Sequence, residues 1–302
     1  MVRLPHVVNC GGGWKEVVGD VPEGDTVWLA GRRMHDALAG KELTRTDFRV
    51  PQLATVDLSG RTVAEVVSRG KHLLTRIGDD LTLHTHFRME GSWHLYRPGD
   101  RWHGGPDWQI RVLLETADWH AVGYRLPVIE LLARDHEVDA VGHLGPDLLG
   151  PGWDEGQAAE AVRRLGAEPD REIGPALLDQ RNLAGVGNLY KTEVCFLVGV
   201  SPWTAVRDVD LVEVVDRCRR LLDLNKAHTW QTTTGNNRRG QDHWVFERQR
   251  RPCRRCGTTI RSAEQGTAPY QRLSYWCPRC QPGPAPAGSS AREVRPVRPR
   301  RR

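Results

Sequence analysis

Four cysteines near the end of this 302-residue chain constrain its fold more than any other feature. Cys253 and Cys256 form one Cys-x-x-Cys pair, and Cys277 and Cys280 form a second pair after an interval of 20 residues. Two such pairs can bring four thiolates to one Zn²⁺ ion, around which the intervening hairpin folds. Four protein ligands close the site, so this zinc would be structural. A disulfide pair and an iron–sulfur site are the alternatives, and an intracellular chain favours zinc.

The positive charge of the chain is concentrated near its end. The formal net charge is +5, and residues 291–302 contain six arginines and one acid, which accounts for the whole excess. Residues 248–280 contain eight arginines and the single acid Glu264. A basic patch followed by a basic tail indicates a polyanionic partner, most often a nucleic acid. The tail alone is equally consistent with a solvated, disordered end of the chain.

The composition excludes membrane and fibrous proteins. No run approaches the roughly 18 apolar residues that a membrane span needs. The first residues include Arg3, but Pro5 and His6 interrupt any apolar segment, so a secretory signal is not indicated. Hydrophobic residues make up 39% and charged residues 27% of the chain, which is typical of a soluble globular protein. We therefore expect a cytoplasmic protein of about two domains.

The first half of the chain has the pattern of a β domain preceded by a helix. Residues 26–39 have helical spacing of apolar side chains, with Asp25 placed to cap the start and Gly40 placed at the end. β-branched and alternating residues between Gly and Asp turns follow, up to about residue 135. They predict strands at residues 63–67, 72–77, 81–86 and 109–114. This pattern predicts two antiparallel sheets with a flanking helix.

The second half of the chain is helical up to the cysteine pairs. A Pro/Gly-rich stretch at 144–152 is typical of a linker. Residues 156–165 and 205–223 are amphipathic and predict helices. The fold class is therefore α+β and multidomain: an N-terminal antiparallel β-sandwich with a flanking helix, then a helical domain that ends in a zinc-finger hairpin. The predicted segments are 1–20 (extension), 21–146 (β-sandwich), 147–154 (linker), 155–245 (helical domain), 246–282 (zinc finger) and 283–302 (disordered basic tail).

A glycine-rich motif joins two predicted helices of the second domain. In residues 183–190, Gly185 and Gly187 permit a tight turn, and Asn188 is placed to cap the following helix. A short helix at 175–180 precedes them. Exposed amides at such a helix start can bind phosphate. The glycines alone are equally consistent with a simple packing joint between two helices.

Two further motifs lie near the start of the chain. A turn at residues 68–71 delivers Lys71 just before an apolar strand, although surface lysines usually have no specific partner. Residues 21–27 read internally as a turn before a helix. At the start of a chain the chemistry of these residues would be different, because Pro22 would then carry a secondary amine with Glu23 beside it.

These motifs, in this order, resemble the formamidopyrimidine-DNA glycosylase / endonuclease VIII family of DNA repair enzymes. The resemblance covers about residues 21–282, and the start is closest to the endonuclease VIII branch. It rests on Pro-Glu-Gly-Asp-Thr at 22–26, Gly-Lys at 70–71, Ala-Gly-Val-Gly-Asn-Leu-Tyr at 184–190, Arg272 and Cys-Pro-Arg-Cys at 277–280. It implies a helix–two-turns–helix domain, one structural zinc, and a monomer that acts on double-stranded DNA with an oxidised base or an abasic site.

The resemblance also implies a mechanism. The damaged nucleotide is flipped out of the duplex. The amine of Pro22 then attacks the sugar and displaces the base as a Schiff base forms, and Glu23 serves as the proton donor. A cationic iminium of this kind acts as an electron sink, so that β- and then δ-elimination cuts the strand on both sides of the sugar.

Further residues are placed on the DNA by the same resemblance. Lys71 acts as proton donor and phosphate ligand, and Arg272 holds a phosphate and supports δ-elimination. Met89 matches an apolar wedge that fills the vacated base stack, although a core methionine is the alternative. The residues expected to bind DNA are Arg88, Met89, Gly187 and Asn188.

This sequence departs from the family pattern at several points. Many members have Glu where this chain has Thr26, with Asp25 before it. The region 123–128 lacks a loop that purine-type members carry, and the zinc hairpin is a few residues longer than usual. The missing purine-type features favour oxidised pyrimidines over oxidised purines as substrates. The alternatives are the same enzyme class with a preference for oxidised purines, and a catalytically silent, zinc-containing DNA-binding protein.

The mechanism requires a free amine at Pro22, which an internal proline lacks. Val21 stands where family members begin with Met, and a GTG codon encodes valine internally but methionine at a start. We therefore expect residues 1–20 to be upstream sequence included in error. The alternative is a genuine extension that leaves the protein inactive or awaiting processing.

Overall fold

The computed structural model describes residues 22–286, so the predictions for residues 1–20 and for most of the basic tail lie outside the described residues. No helix in this described part is long and apolar enough to cross a membrane. In chain order the helices and strands are α1 (Gly24–Leu38), β1 (Arg45–Phe48), β2 (Val63–Arg69), β3 (His72–Ile77), β4 (Leu81–His86), β5 (Ser92–Tyr96), β6 (Ile110–Glu115), β7 (His120–Tyr124), β8 (Val128–Ala133), α2 (Glu137–Val141), α3 (Glu155–Leu165), α4 (Ile173–Leu178), α5 (Asn188–Leu197), α6 (Leu211–Asn225), β9 (Arg261–Gln265) and β10 (Arg272–Trp276).

The first domain is the predicted antiparallel sandwich. One sheet has the strand order β1-β6-β7-β5 and the other has the order β2-β3-β4-β8, each with four antiparallel strands. The predicted strands at 72–77 and 81–86 coincide with β3 and β4, and the other two differ from β2 and β6 by one or two residues. Apolar side chains from both sheets and from α1 form one core, which includes Met34, Leu38, Leu73, Ile77, Leu83 and Val112.

Helix α1 ends as predicted but does not begin as predicted. Glu23 occupies the N-cap position in an extended conformation, and Asp25 lies inside the first turn with only 2% of its surface exposed. Asp25 does not cap the helix because its carboxylate accepts hydrogen bonds from Tyr190 and Gln231, which lie 165 and 206 positions along the chain. Local spacing carries no sign of such distant donors. Gly40, with a φ of 75°, follows the last turn.

The second domain is built around α5, which is buried from Leu189 to Phe196. Helices α3, α4 and α6 pack around it in one apolar core. The predicted helix at 205–223 starts later than expected, because Asp210 caps α6 by accepting hydrogen bonds from the amides of Val212 and Glu213. The predicted helix at 175–180 is α4, displaced by two residues toward the start of the chain.

Strands β9 and β10 form the antiparallel hairpin between the two cysteine pairs. Cys253, Ile260, Tyr275 and Cys277 belong to the same apolar core as the helices, so the hairpin packs on the helical domain.

The predicted linker at 147–154 is anchored to both domains. The amide of Gly70, in the β2–β3 turn, donates a hydrogen bond of 2.9 Å to the Asp147 carboxylate. The next residue, Leu148, is fully buried in the core of the helical domain. The two domains therefore meet in a packed junction, and the boundaries at 146 and 155 stay predictions.

Candidate active site

Glu23 lies at the centre of the junction between the two domains. Because the chain is extended at this position, its carboxylate reaches the start of α5 and accepts hydrogen bonds from two amides there. Gly187 donates at 2.7 Å and Leu189 donates at 2.8 Å. A carboxylate is well suited to these amides, which have no partner within the helix and lie at its positive end. Glu23 therefore caps a helix 164 residues away.

The surroundings of Glu23 favour its protonated form. Burial raises the pKa of this carboxyl to about 7, with a further rise from Asp25, while Lys71 and the two amides oppose the change. A carboxyl with a pKa near neutrality is suited to donate and accept protons at physiological pH. Pro22 immediately precedes it at the partly buried entrance to α1.

Lys71 approaches the same point from the first domain. The tight β2–β3 turn, with Gly70 at a φ of 57°, directs the lysine toward the start of α5. A Cβ atom added to Gly187 would lie 2.5 Å from the Lys71 amine and 2.6 Å from the Glu23 carboxylate. Burial lowers the pKa of Lys71, although Glu23 and Asp25 act against that change. Gly187 is therefore required where the lysine and the carboxyl converge.

Asp25, two residues after Glu23, forms a second buried carboxylate site that sequence reasoning missed. The Tyr190 hydroxyl donates to it at 2.5 Å, and the Gln231 amide donates to both of its oxygens at 2.9 and 3.1 Å. Burial raises the pKa of Asp25, while these two donors lower it. The only sequence feature that indicates this site is a carboxylate at the start of a helix that is otherwise apolar on one face.

The predicted phosphate ligands of the second domain lie close together. Asn188 is the first residue of α5, and Gly187 rather than Asn188 is its N-cap, so that the cap prediction is wrong. The Asn188 side chain instead donates a hydrogen bond of 2.9 Å to the Leu273 carbonyl, which places it next to Arg272. Arg272 is exposed at the start of β10, and its charge lowers the pKa of Lys71. Lys71, Asn188 and Arg272 thus form one cationic and polar cluster.

Two charged residues of α5 were not predicted to be buried. Glu193 accepts hydrogen bonds of 2.8 Å from the amides of Trp244, Val245 and Phe246, and from the Thr233 hydroxyl. It holds the segment after α6 against the central helix. Lys191 donates to the Ser274 hydroxyl, and burial lowers its pKa to about 8. No periodic signal distinguishes these residues, since they lie between apolar neighbours on opposite faces of one helix.

The turn after β4 exposes Met89, with 60% of its surface accessible. The neighbouring Arg88 has a φ of 47°, and its amide donates to the His86 ring at 2.9 Å. Met89 is therefore not a core methionine, which was the alternative to a wedge.

The four hairpin cysteines form a closed metal site. Their sulfur atoms all lie within 4.8 Å of one another, with 3.9 Å between Cys253 and Cys280 and 3.4 Å between Cys256 and Cys277. Tetrahedral Zn²⁺ with Zn–S bonds of about 2.3 Å separates its sulfur ligands by about 3.8 Å. These sulfurs are too far apart for disulfides, whose S–S bond is about 2.05 Å. The donor set fits one structural zinc.

A β-sandwich joined through buried carboxylates to a helical domain with a four-cysteine hairpin defines the class of zinc-containing DNA glycosylases. The chain belongs to the formamidopyrimidine-DNA glycosylase / endonuclease VIII family. Three family models match it: the formamidopyrimidine-DNA glycosylase N-terminal domain over residues 21–125, the formamidopyrimidine-DNA glycosylase H2TH domain over 144–227, and the zinc finger found in FPG and IleRS over 251–283.

Bacterial relatives match over nearly their whole length. A probable endonuclease 8 2 from Streptomyces coelicolor is 56% identical over 281 residues, which are 92% of this chain and 100% of the relative. The DNA-(apurinic or apyrimidinic site) lyase Nei2 of Mycolicibacterium smegmatis is 48% identical, over 86% of this chain and 99% of the relative. Endonuclease 8 from Escherichia coli is 31% identical, over 86% and 100%.

The fold matches a solved structure of Fpg from Lactococcus lactis in complex with DNA that contains an abasic site. The TM-score is 0.71 and the sequence identity is 22%, and the match covers 86% of this chain and 99% of that one. This likeness confirms the predicted architecture of both domains.

Proposed function

We propose that this protein is a bifunctional DNA glycosylase and AP lyase of base-excision repair, with Pro22 as the nucleophile. The observation that carries the proposal is the position of Glu23. This buried carboxyl, with a pKa of about 7, directly follows the proline, and its end approaches the end of Lys71 at Gly187. A potential nucleophile, a proton donor and a cation are thereby joined at one domain junction. The names of the relatives, endonuclease 8 and AP lyase, describe the same chemistry.

The glycosylase step uses the amine of Pro22 once its nitrogen is free. An α-amino group titrates near 8, so an appreciable fraction is neutral and nucleophilic at physiological pH. The nitrogen forms a bond to the anomeric carbon of the sugar as the bond to the damaged base breaks, and the base leaves with that electron pair and takes up the proton that the amine loses. Glu23, still protonated near neutrality, gives its proton to the sugar ring oxygen, so that the ring opens and an iminium forms.

The lyase step uses the iminium as an electron sink. Loss of a proton next to the iminium carbon expels the 3′ phosphate in β-elimination, and a second loss expels the 5′ phosphate in δ-elimination. Lys71 and Arg272 hold these phosphates, and their positive charges stabilise the departing dianions. Asn188 and the amide-rich turn at Gly187 complete the phosphate contacts.

The enzyme acts as a monomer on double-stranded DNA, in the cytoplasm at the bacterial nucleoid. Met89 enters the space left by the everted nucleotide, as its exposure on a tight turn allows. The relation to endonuclease 8 proteins supports oxidised pyrimidines as the preferred bases. Cleavage of duplexes that carry thymine glycol, dihydrouracil or 8-oxoguanine would measure that preference. Faster cleavage of the 8-oxoguanine duplex would favour the oxidised-purine alternative.

Borohydride reduction in the presence of abasic-site DNA tests the proposal. A chain that begins at Pro22 should form a covalent protein–DNA adduct, because borohydride reduces the iminium. The same chain with Pro22→Gly still has an α-amine at its first residue. An N-acetylated chain has no free α-amine, and it serves as the control. A chain that begins at a free Pro22 and binds abasic DNA but gives no adduct would support a catalytically silent DNA-binding protein.

A further inference from the structure

Asp25 has no part in the steps above, although it is as deeply buried as the groups that do. It is 2% exposed, and Glu23, two residues earlier, is fully buried. Both side chains reach the start of α5: Glu23 binds the amides of Gly187 and Leu189, and Asp25 binds the hydroxyl of Tyr190. Both carboxylates are therefore buried, and each is bound to residues of α5.

The hydrogen bonds to Asp25 all favour its charged form. Tyr190 and Gln231 are donors only in these contacts, and together they supply three hydrogen bonds to the two carboxylate oxygens. A carboxylate that accepts several hydrogen bonds is stabilised as the anion. The oxygens of Glu23 accept from two amides, and among residues 22–286 no side chain donates a hydrogen bond to that carboxyl. Asp25 therefore accepts three hydrogen bonds as an anion, one more than Glu23 accepts.

The charge of Asp25 acts on Glu23 within this buried region, so the two carboxyl groups do not ionise independently. When two carboxyl groups share a buried site, ionisation of one raises the pKa of the other. The charged and titratable groups that face this pair are Lys71 from the β2–β3 turn, Tyr190 and Lys191 from α5, Cys218 from α6 and Arg272 from β10. Lys71 and Lys191 both interact electrostatically with Glu23, and the charge of Lys71 lowers the pKa of that carboxyl.

We infer that Asp25 is a positioning residue for Glu23: its anchored negative charge adds to burial in keeping the proton on Glu23 near neutral pH, when the reaction needs a donor. Asp25 touches neither the sugar nor the base in this scheme. It acts only through Glu23, and Tyr190 and Gln231 keep it charged while it does so. The segment after α6 thereby contributes to the chemistry through Gln231, which lies outside the catalytic groups.

The test is a carboxyl titration of the full chain with ¹³C-labelled Asp and Glu, followed by NMR. The Glu23 signal is assigned from its loss in Glu23→Gln. In Asp25→Asn the side chain keeps its size but loses its charge, and the Glu23 midpoint should move to lower pH by about 1. Asp36→Asn, on the exposed part of the same helix, is the matched control and should leave the midpoint in place.

The unaltered chain provides a second measurement that does not depend on a variant folding. As the pH falls, the Glu23 carboxyl should take up its proton before Asp25 does. An Asp25 signal that titrates at the higher pH, or a Glu23 midpoint unchanged in a folded Asp25→Asn variant, would overturn the inference. The inference rests on the proposed role of Glu23 as donor. Because the titration observes the carboxyl itself, its failure is distinguishable from a failure of borohydride trapping.

Discussion

A methyl group on the α-carbon of Gly187 would lie 2.6 Å from the Glu23 carboxylate, although 163 residues separate the two in sequence. The same methyl would lie 2.5 Å from the Lys71 amine. Such distances are shorter than van der Waals contact, so glycine alone lets the first domain insert its acid and its lysine against α5. The proposed catalytic site therefore lies in the junction between the two domains.

Gly187→Ala should lower cleavage of abasic-site DNA at least tenfold while the protein remains folded. The added methyl displaces the ends of Lys71 and Glu23, and misplacement of catalytic groups by about 1 Å can cost roughly 100-fold in rate. Gly152→Ala is the control, since nothing lies within 4 Å of its added methyl. Single-turnover rates and unfolding temperatures of both variants check the expectation. Equal rates for the two variants would show that the close contact has no catalytic consequence.

Glu23 should make the stability of the protein depend on pH. Its pKa is raised by burial from 4.5 to about 7, so the folded state binds more protons than the unfolded state in that window. The contribution of Glu23 to the free energy of unfolding is therefore fully present below pH 4.5 and is lost as the pH rises to 7. The loss is about 3 kcal/mol at most. Glu23→Gln removes this dependence.

Urea unfolding at several pH values compares the two proteins. The free energy of unfolding of the unaltered chain, relative to Glu23→Gln, should decrease between pH 5 and pH 8. Charged residues that do not interact with Glu23 contribute equally to both proteins, so the difference reports Glu23 together with its coupled neighbours Asp25 and Lys71. A difference that stays constant over this range would show that Glu23 titrates normally in the folded state.

Local patterns predicted most of the elements of this fold. Strands β3 and β4 were predicted to the residue because alternation and Gly or Asp turns define both of their ends. The cysteine spacing predicted the metal site because all four ligands lie within one hairpin, so that the signal is local in sequence. The family resemblance, without any geometry, predicted that Pro22, Glu23 and Lys71 belong to one site.

The parts that sequence could not predict are contacts between distant segments. Asp25 and Asn188 were both expected to cap their own helices, which is what short polar residues do at helix starts. Asp25 instead binds Tyr190 and Gln231, and Asn188 binds Leu273. The cap of α5 is Glu23, from the other domain. A capping residue 164 positions away has no local signature.

DNA binding should need the folded shape of the zinc hairpin. It should also need the positive charge of Arg272. Cys277→Ser should release the zinc and weaken binding, because the metal supplies folding energy to such modules. Arg272→Ala should retain the metal but lose affinity, and the slope of log affinity against log salt should fall by about 1. Zinc content by atomic absorption and binding at several salt concentrations distinguish the two effects. A zinc-free protein that cleaves DNA at the normal rate would contradict a structural role for the metal.

The nitrogen of Pro22 should decide whether the chain is active. Preceded by Val21, it is a tertiary amide whose lone pair is delocalised into the carbonyl, so it cannot attack a sugar. A chain that begins at Pro22 presents a secondary amine next to Glu23 and should form the borohydride-trapped adduct with abasic DNA. The 302-residue chain should bind the same DNA without forming it, and intact-mass analysis verifies that it has not been clipped. If the unclipped chain is trapped equally well, Pro22 is not the nucleophile, and loss of the adduct in Lys71→Arg would identify the Lys71 amine in its place.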